Sequence, residues 1–345
     1  MQKVTILIPT YNRPRELHRN LNYLRSVENP YPVIVLDGSK EEFRDQNRNI
    51  AASFDNVEYP KITEENLHFG RRLWFACQEL VKTKYVVVVG DDDFLIPAGI
   101  APCADFLDEH PDYSCAIGNT KCLVYTERRF VRGGFVFQDR LQNRLILRED
   151  SFVQRYTRLN ALCEVGCSPL FYGVRRREQA AEMFQYIESD MLLSAVEKTS
   201  NVLTCIFGKV MGLNVEYDIR DYSCPTDRSP QRNDPVTYLS EKDMRKLRPI
   251  YARYLKAKEN QSDEIVEYVL DQFVKFPLPA MESFQEILVV PASRMQLLQE
   301  KVARFAGYQI SKYFPTIAAK MYGISYKTIL GLRYAMLRWA NFKGI

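Results

Sequence analysis

A run of apolar residues stops abruptly in three carboxylates at Tyr85-Val-Val-Val-Val-Gly-Asp-Asp-Asp-Phe94. Like charges within a few ångströms of one another repel unless a cation or hydrogen-bond donors compensate them. A hard divalent ion is the economical compensation for Asp91, Asp92 and Asp93. Carboxylates so spaced can hold magnesium or manganese and leave coordination positions open for the phosphates of a nucleotide. The plainer reading of the same residues is a solvated acidic turn or a helix N-terminal cap. Phosphatases that form an aspartyl-phosphate also carry Asp-x-Asp after a strand, but on the first strand and with Thr or Val downstream. Here Leu95 follows Phe94, and the strand is about the fourth.

Two further polar clusters close apolar runs, Pro9-Thr-Tyr-Asn-Arg13 and Asp37-Gly-Ser39. A carboxylate at a strand end accepts from an imide N–H or a hydroxyl, and an arginine fork suits phosphate. Gly70-Arg71-Arg72 stands at the start of a helical segment, where a guanidinium and a helix N-terminus both favour phosphate. Adjacent side chains on a helix cannot face the same way, so one of these arginines is free to be merely solvated. Only His18, His68 and His110 are present, and the eight cysteines are scattered with no two-residue-spaced pair to grip zinc. The cysteines read as reduced, mostly buried thiols.

The elements that would position these clusters follow from periodicity. Lys3 to Ile8, Val33 to Leu36, Val57 to Tyr59 and Tyr85 to Val89 read as strands. Pro14 to Val27, residues 40 to 54 and Leu67 to Val81 read as helices, the first with Leu17, Leu21, Leu24 and Val27 on one face. Strands alternating with helices imply parallel pairing with helices on both faces. Such α/β sheets bind ligands at the carboxyl ends of their strands, so the three clusters should converge on one crevice. Beyond a helix at Pro97 to His110, strands are expected at Tyr113 to Ile117 and Lys121 to Thr126, then an irregular Arg-rich stretch to 149. Pro169 to Val174 reads as a strand, Arg176 to Val196 as helical and Val215 to Ile219 as an edge strand. Pro225, Pro230 and Pro235 mark a linker, and residues 240–345 look mostly helical.

Thr5-Ile-Leu-Ile-Pro-Thr-Tyr-Asn-Arg-Pro14, Val35-Leu-Asp-Gly-Ser39 and Tyr85 to Phe94 together resemble, in order and spacing, the family 2 nucleotide-sugar glycosyltransferases of the GT-A fold. The resemblance covers roughly residues 3–118. It implies a GT-A-like open, mostly parallel sheet in a domain over 1–222, with a nucleotide-binding half (1–118) and an acceptor half (119–222). A linker over 223–239 and a mainly helical region over 240–345 would follow. It also implies roles. Pro9, Thr10 and Tyr11 would border the base, Arg13 would reach the diphosphate, and Asp37 with Ser39 would meet base or ribose. Arg71 would face the donor, Asp91 and Asp92 would contact donor and metal, and Asp93 would bind the Mn2+ or Mg2+.

Family 2 enzymes invert the anomeric centre, so a carboxylate must take the proton of the acceptor hydroxyl. The resemblance points to the acidic residues opening the helix at Tyr186-Ile-Glu-Ser-Asp-Met-Leu-Leu193, with Asp190 as the base and Glu188 as the alternative. Helix capping is the competing role for Asp190. Ser168, Tyr172 and Gly173 would line the sugar side by close approach and ring stacking, although core packing explains the aromatics equally well.

At 345 residues, with 46% hydrophobic, 12% aromatic and 26% charged side chains, the chain is globular and neither fibrous nor disordered. No apolar run approaches a membrane span of ~18 residues or a signal-peptide core, so a cytoplasmic place is expected. The net charge of +4 conceals an asymmetry: residues 301–345 carry eight Lys and Arg and no acidic residue. Their interleaving with Tyr, Phe and Trp suits an anionic membrane surface, a helical cap or a homo-oligomer interface. The expected function is sugar transfer from a nucleoside-diphosphate sugar to a glycan or lipid-linked acceptor in cell-envelope polysaccharide synthesis, with no nucleic acid involved. The alternatives are a nucleotidyltransferase acting on a sugar phosphate and a non-catalytic glycan-binding scaffold. The first would need a Gly-rich basic loop where Pro9 to Pro14 stands, and the intact Asp triplet argues against the second.

Overall fold

The computed structural model describes residues 2–64, 67–128, 131–140, 145–162, 169–188, 193–221, 241–259 and 266–267. The chain divides into two units, one of residues 1–121 with 139–278 and one of 122–138 with 279–345. The first unit carries every site residue discussed below.

Its N-terminal half is built as the apolar pattern dictates. Strand β1 (Val4–Thr10) is buried along its whole length, as are β2 (Val33–Asp37) and β4 (Tyr85–Val88). Helix α1 (Pro14–Ser26) starts on the fixed φ of Pro14 and buries Leu17, Leu21 and Leu24 together with Asn20. Helix α2 (Glu41–Ala51) leads to the short β3 (Val57–Glu58), and α3 (Phe69–Phe75) runs into a π-helical turn at Ala76–Leu80. These crossovers make the pairings β1·β2, β2·β3 and β1·β4 parallel, so β1, β2 and β4 end on the same side.

After β5 (Phe94–Leu95) and α4 (Pro97–Glu109) the pattern changes. β6 (Tyr113–Arg128) pairs with β7 (Val131–Arg140), and α5 (Phe152–Leu162), a 3-10 turn at Pro169–Tyr172 and β8 (Val174–Arg176) follow. Helices α6 (Arg177–Phe184) and α7 (Leu193–Phe207) lead to β9 (Lys209–Asp221) and α8 (Glu241–Glu259). The sheet order is β3-β2-β1-β4-β8-β6-β9-β5, and β8 pairs antiparallel with both β4 and β6. The α/β class expected from the sequence is therefore present, with the parallel register concentrated in the N-terminal half.

Several boundaries differ from the sequence expectation. The two strands expected at 113–117 and 121–126 are one, because Gly118 does not break it: its bare face receives the Tyr217 side chain and the Val215 carbonyl of β9. The stretch 127–149, expected to be irregular, contains β7. Of the strand expected at Pro169 to Val174, Pro169–Tyr172 is a 3-10 turn, closed by the Gly173 N–H on the Leu170 carbonyl (3.2 Å), and only Val174 belongs to β8. The helix expected over 176–196 ends at Phe184, and a second begins at Leu193. Ile187 follows α6 and seats on the bare face of Gly70. The 215–219 segment belongs to the thirteen-residue β9 and lies between β6 and β5, not at an edge.

The expected linker, 223–239, and the basic segment 301–345 lie outside the described residues. Among the described residues, no helix is long and apolar enough to cross a membrane.

Candidate active site

The carboxyl ends of β1, β2 and β4 meet in one place, and hydrogen bonds between them fix their loops. Thr10 Oγ1 donates to Asp91 Oδ2 at 2.7 Å. Asn12 takes the left-handed conformation (φ 56°), which Asn tolerates better than most residues. Its N–H reaches Ser39 Oγ at 2.7 Å, and its Oδ1 accepts the Lys40 N–H at 2.9 Å. The β1 loop is thus stitched to the β2 loop.

Asp37 is buried and well supplied with donors. Oδ1 accepts the Ser39 N–H at 2.6 Å, while Oδ2 accepts Asn47 Nδ2 at 2.8 Å and Tyr59 Oη at 2.6 Å. Burial, reinforced by Asp37, pushes the Tyr59 phenol well above its ordinary range, which keeps it a donor. Ser39 is buried too, between Asn12 and Asn47. Both residues sit at the expected strand end, and most of their hydrogen bonding is directed inward.

Beneath the two strand ends lies Arg72, 3% exposed. Its Nη1 donates to the Thr10 carbonyl at 2.9 Å and to the Leu36 carbonyl, and burial lowers its pKa to about 10. Gly38 makes room for it, since a Cβ there would stand 2.5 Å from the Arg72 Cζ. Arg71, which the resemblance would turn towards the donor, lays its guanidinium over Trp74, 4.2 Å from the ring centre. The choice between them was legible: Arg72, Leu73, Ala76 and Cys77 form the buried stripe at helical spacing.

The β4 end carries the charge. Arg13 Nη1 meets Asp91 Oδ1 at 2.7 Å, and Arg13 Nη2 meets Asp92 Oδ2 at 2.9 Å. Asn20 holds the loop from α1, with Nδ2 on the carbonyls of Gly90 (3.1 Å) and Asp93 (2.5 Å). Arg19 donates to the Asp92 carbonyl at 3.1 Å and pairs with the buried Asp221 at 2.7 Å. The Asp221 N–H in turn reaches Asp93 Oδ1 at 3.0 Å. Burial pushes Asp91 up to about 7, against the pull of Arg13 and with a further push from Asp92. Burial likewise pushes Asp93 up to about 7, against Arg220. Desolvation thus disfavours the ionised form of both carboxylates despite the arginines beside them.

A hard divalent cation fits this donor set. Asp92 Oδ1 and Asp93 Oδ2 gather over the bare face of Gly90, where a Cβ would stand 2.8 and 3.5 Å from them. Among the described residues no group of three His, Cys, Asp or Glu side chains is arranged to hold a metal ion alone. Two carboxylates completed by phosphate oxygens and water are the usual arrangement for magnesium. Asp91 commits its oxygens to Thr10 and Arg13 and stands behind that pair.

The opposite wall is formed by the 3-10 turn and β9. Arg220 pairs with Asp218 at 3.1 Å and covers the ring of Tyr172, its Cζ 3.5 Å from the ring centre. Tyr172 Oη donates to Glu197 on α7 at 3.4 Å. A ring face expected for a sugar is thus occupied by a guanidinium. Gly173 is needed for packing, because a Cβ there would collide with Cys115 Sγ on β6. Glu188 is half-exposed and ion-paired with Lys246 of α8. Asp190 and Ser168 lie outside the described residues. Pro9 is buried in β1 beside Leu36, and Tyr11, 52% exposed, stands at the mouth of the crevice. Arg220, Arg19, Asn20 and Asp221 are the neighbours that the motifs did not announce.

Comparison with known proteins agrees with this architecture. The family model "Glycosyl transferase family 2" matches residues 5–162, which contain the β1, β2 and β4 strand ends. The fold is similar to that of S. aureus TarS residues 1–349, at 13% identity and a TM-score of 0.53, covering 100% of this chain and 92% of that one. The same fragment in complex with UDP gives 14% identity and a TM-score of 0.51, again covering 100% and 92%. No curated protein sequence matches the chain.

Proposed function

Because residues 5–162 match the model of glycosyl transferase family 2, we propose that this protein transfers a sugar from a nucleoside-diphosphate sugar to a hydroxyl of a glycan or lipid-linked acceptor. The anomeric centre is inverted in the transfer. The observation that carries this reading is the convergence of three strand ends in one crevice. They bring an exposed aromatic (Tyr11), a guanidinium fork (Arg13) and a cluster of three consecutive carboxylates (Asp91 to Asp93), two of them buried, together. A base, a diphosphate and a divalent ion would find their complements there in that order.

In this reading Tyr11 borders the base, with Thr10 and Pro9 beneath it. Asp37 and Ser39 keep the β2 loop in place, and one Asp37 Oδ1 lone pair is left for base or ribose. Arg13 meets the diphosphate. Asp92 and Asp93 would hold Mn2+ or Mg2+, which when bound neutralises charge building on the leaving diphosphate. The acceptor hydroxyl needs a carboxylate base on the other side of the sugar. Asp190 is proposed for that role, since Glu188 is tied to Lys246. The TarS fragment, similar in fold, has been crystallised in complex with UDP, which is in keeping with a nucleotide ligand here. Cell-envelope polysaccharide synthesis and a cytoplasmic, membrane-apposed setting complete the proposal, the latter from the charge of residues 301–345.

The test is a thermal-shift panel of nucleotides and nucleotide sugars with Mn2+. A ligand at a hundredfold its dissociation constant stabilises the folded state by about 2.7 kcal/mol. One nucleotide series should raise the melting temperature with Mn2+ and lose the effect in EDTA. Sugar phosphates stabilising the protein in place of nucleotide sugars would contradict the reading.

A further inference from the structure

Arg13 is fixed at its backbone and long at its side chain. Its carbonyl accepts the Leu17 N–H of α1 at 3.0 Å, Pro14 follows it, and Asn12 before it is bound to the β2 loop. Only the side chain, 26% exposed, has room to move. That side chain bridges two carboxylates, Asp91 Oδ1 and Asp92 Oδ2. The other oxygen of Asp92 leans over Gly90 with Asp93 Oδ2. One carboxylate is therefore shared between a guanidinium in place and the position suited to a cation.

A guanidinium fork fits two carboxylate oxygens or two phosphate oxygens equally well. While it lies on Asp91 and Asp92 it cancels part of the charge that would attract a divalent ion, and repels the ion directly. We propose that Arg13 is the resident counter-ion of the Asp91–Asp92 pair in the donor-free protein. A nucleoside diphosphate draws it off, so that donor and divalent ion bind with positive coupling set by this residue. The inference rests on the function proposed above and adds to it the order in which the charges are exchanged. Arg19 and Arg220 also face the cluster, but Arg19 is paired with Asp221 and Arg220 with Asp218. Arg13 contacts the side chains of both Asp91 and Asp92. Because coupling is reciprocal, the ion must favour the nucleotide by the same factor as the nucleotide favours the ion.

The experiment is Mn2+ titration of the full-length protein, with free Mn2+ read by electron paramagnetic resonance, alone and with saturating UDP or GDP. Circular dichroism and a melting curve certify each variant. Wild type should bind Mn2+ weakly alone and more tightly with a nucleotide. Arg13→Gln should tighten binding of Mn2+ alone by about tenfold or more, as expected when a charge a few ångströms away is removed, and most of the nucleotide's effect should vanish. Arg13→Lys, which keeps the charge and loses the fork, should fall between. If wild type binds the nucleotide but Arg13→Gln leaves the affinity for Mn2+ alone unchanged or weaker, the counter-ion role is overturned. If neither nucleotide binds wild type in Mn2+, the function proposed above fails, and the inference with it.

Discussion

Asp91 to Asp93 show how three adjacent carboxylates acquire different tasks. Asp91 is locked by Thr10 and Arg13, Asp93 is anchored by the Asp221 N–H, and Asp92 lies between with its side chain 14% exposed. The consecutive spacing was visible in the sequence because an apolar run gives way to charge without transition. The division of labour was not, because it depends on which donors arrive from other strands. The acceptor side can be tested residue by residue. Removal of a proton from a hydroxyl in the transition state typically supplies about 10²–10⁴-fold. Asp190→Asn should lower turnover by that order with donor affinity unchanged, and Glu188→Gln should be mild, since Lys246 already neutralises that carboxylate. Steady-state kinetics with separate donor titrations distinguish the two, and reversed effects would move the base to Glu188.

The elements place these residues by close approach as much as by hydrogen bonding. Gly90, just beyond β4, has a bare face under Asp92 Oδ1 and Asp93 Oδ2. Gly90→Ala should fold normally, because the nearest obstacle is the movable end of Asp92. It should weaken Mn2+ binding by about 10–100-fold, as loss of a supporting residue does at metal sites; a calorimetric Mn2+ titration reads this out. Gly173→Ala should do the opposite. Its Cβ would press on Cys115 Sγ and the Ala116 carbonyl, so about 1–3 kcal/mol of stability should go, as in other overpacked cores. Denaturant midpoints would register that loss, while the donor constants stay put. The parallel half of the sheet was readable in the sequence because each buried strand is followed by a helix with a clean apolar stripe. Arg72 was readable in principle, since it shares the stripe of Leu73, Ala76 and Cys77, but its charge argued for solvent. Arg220 and Asp221 were not readable. They lie 127 and 128 residues from Asp93, on a strand whose neighbours only the folded sheet reveals, and no local pattern marks that meeting. The masking of β7 by arginines and the continuity of β6 through Gly118 are failures of the same kind, where cross-strand contact overrides local composition.

At the scale of the whole molecule, acidic and basic character are separated along the chain. Residues 1–300 carry a net charge of −4 and residues 301–345 a charge of +8. If the basic segment meets a membrane, the full-length protein should float with anionic vesicles at low salt. It should be released at high salt, since surface attraction is screened over about 8–10 Å near physiological ionic strength. Equal recovery with neutral vesicles would count against a membrane role and favour a cap or an oligomer interface. The central claim is that the strand ends of β1, β2 and β4 bind a nucleoside-diphosphate sugar through a divalent ion. Isothermal titration of UDP- and GDP-sugars into the full-length protein, with Mn2+ and with EDTA, tests it directly when Asp93→Asn is run alongside. The account predicts saturable one-site binding for one of the two nucleotide series. That binding should be lost in EDTA and weakened at least about tenfold by Asp93→Asn at an unchanged melting temperature. No binding by either series, or binding indifferent to both EDTA and Asp93→Asn, would contradict it.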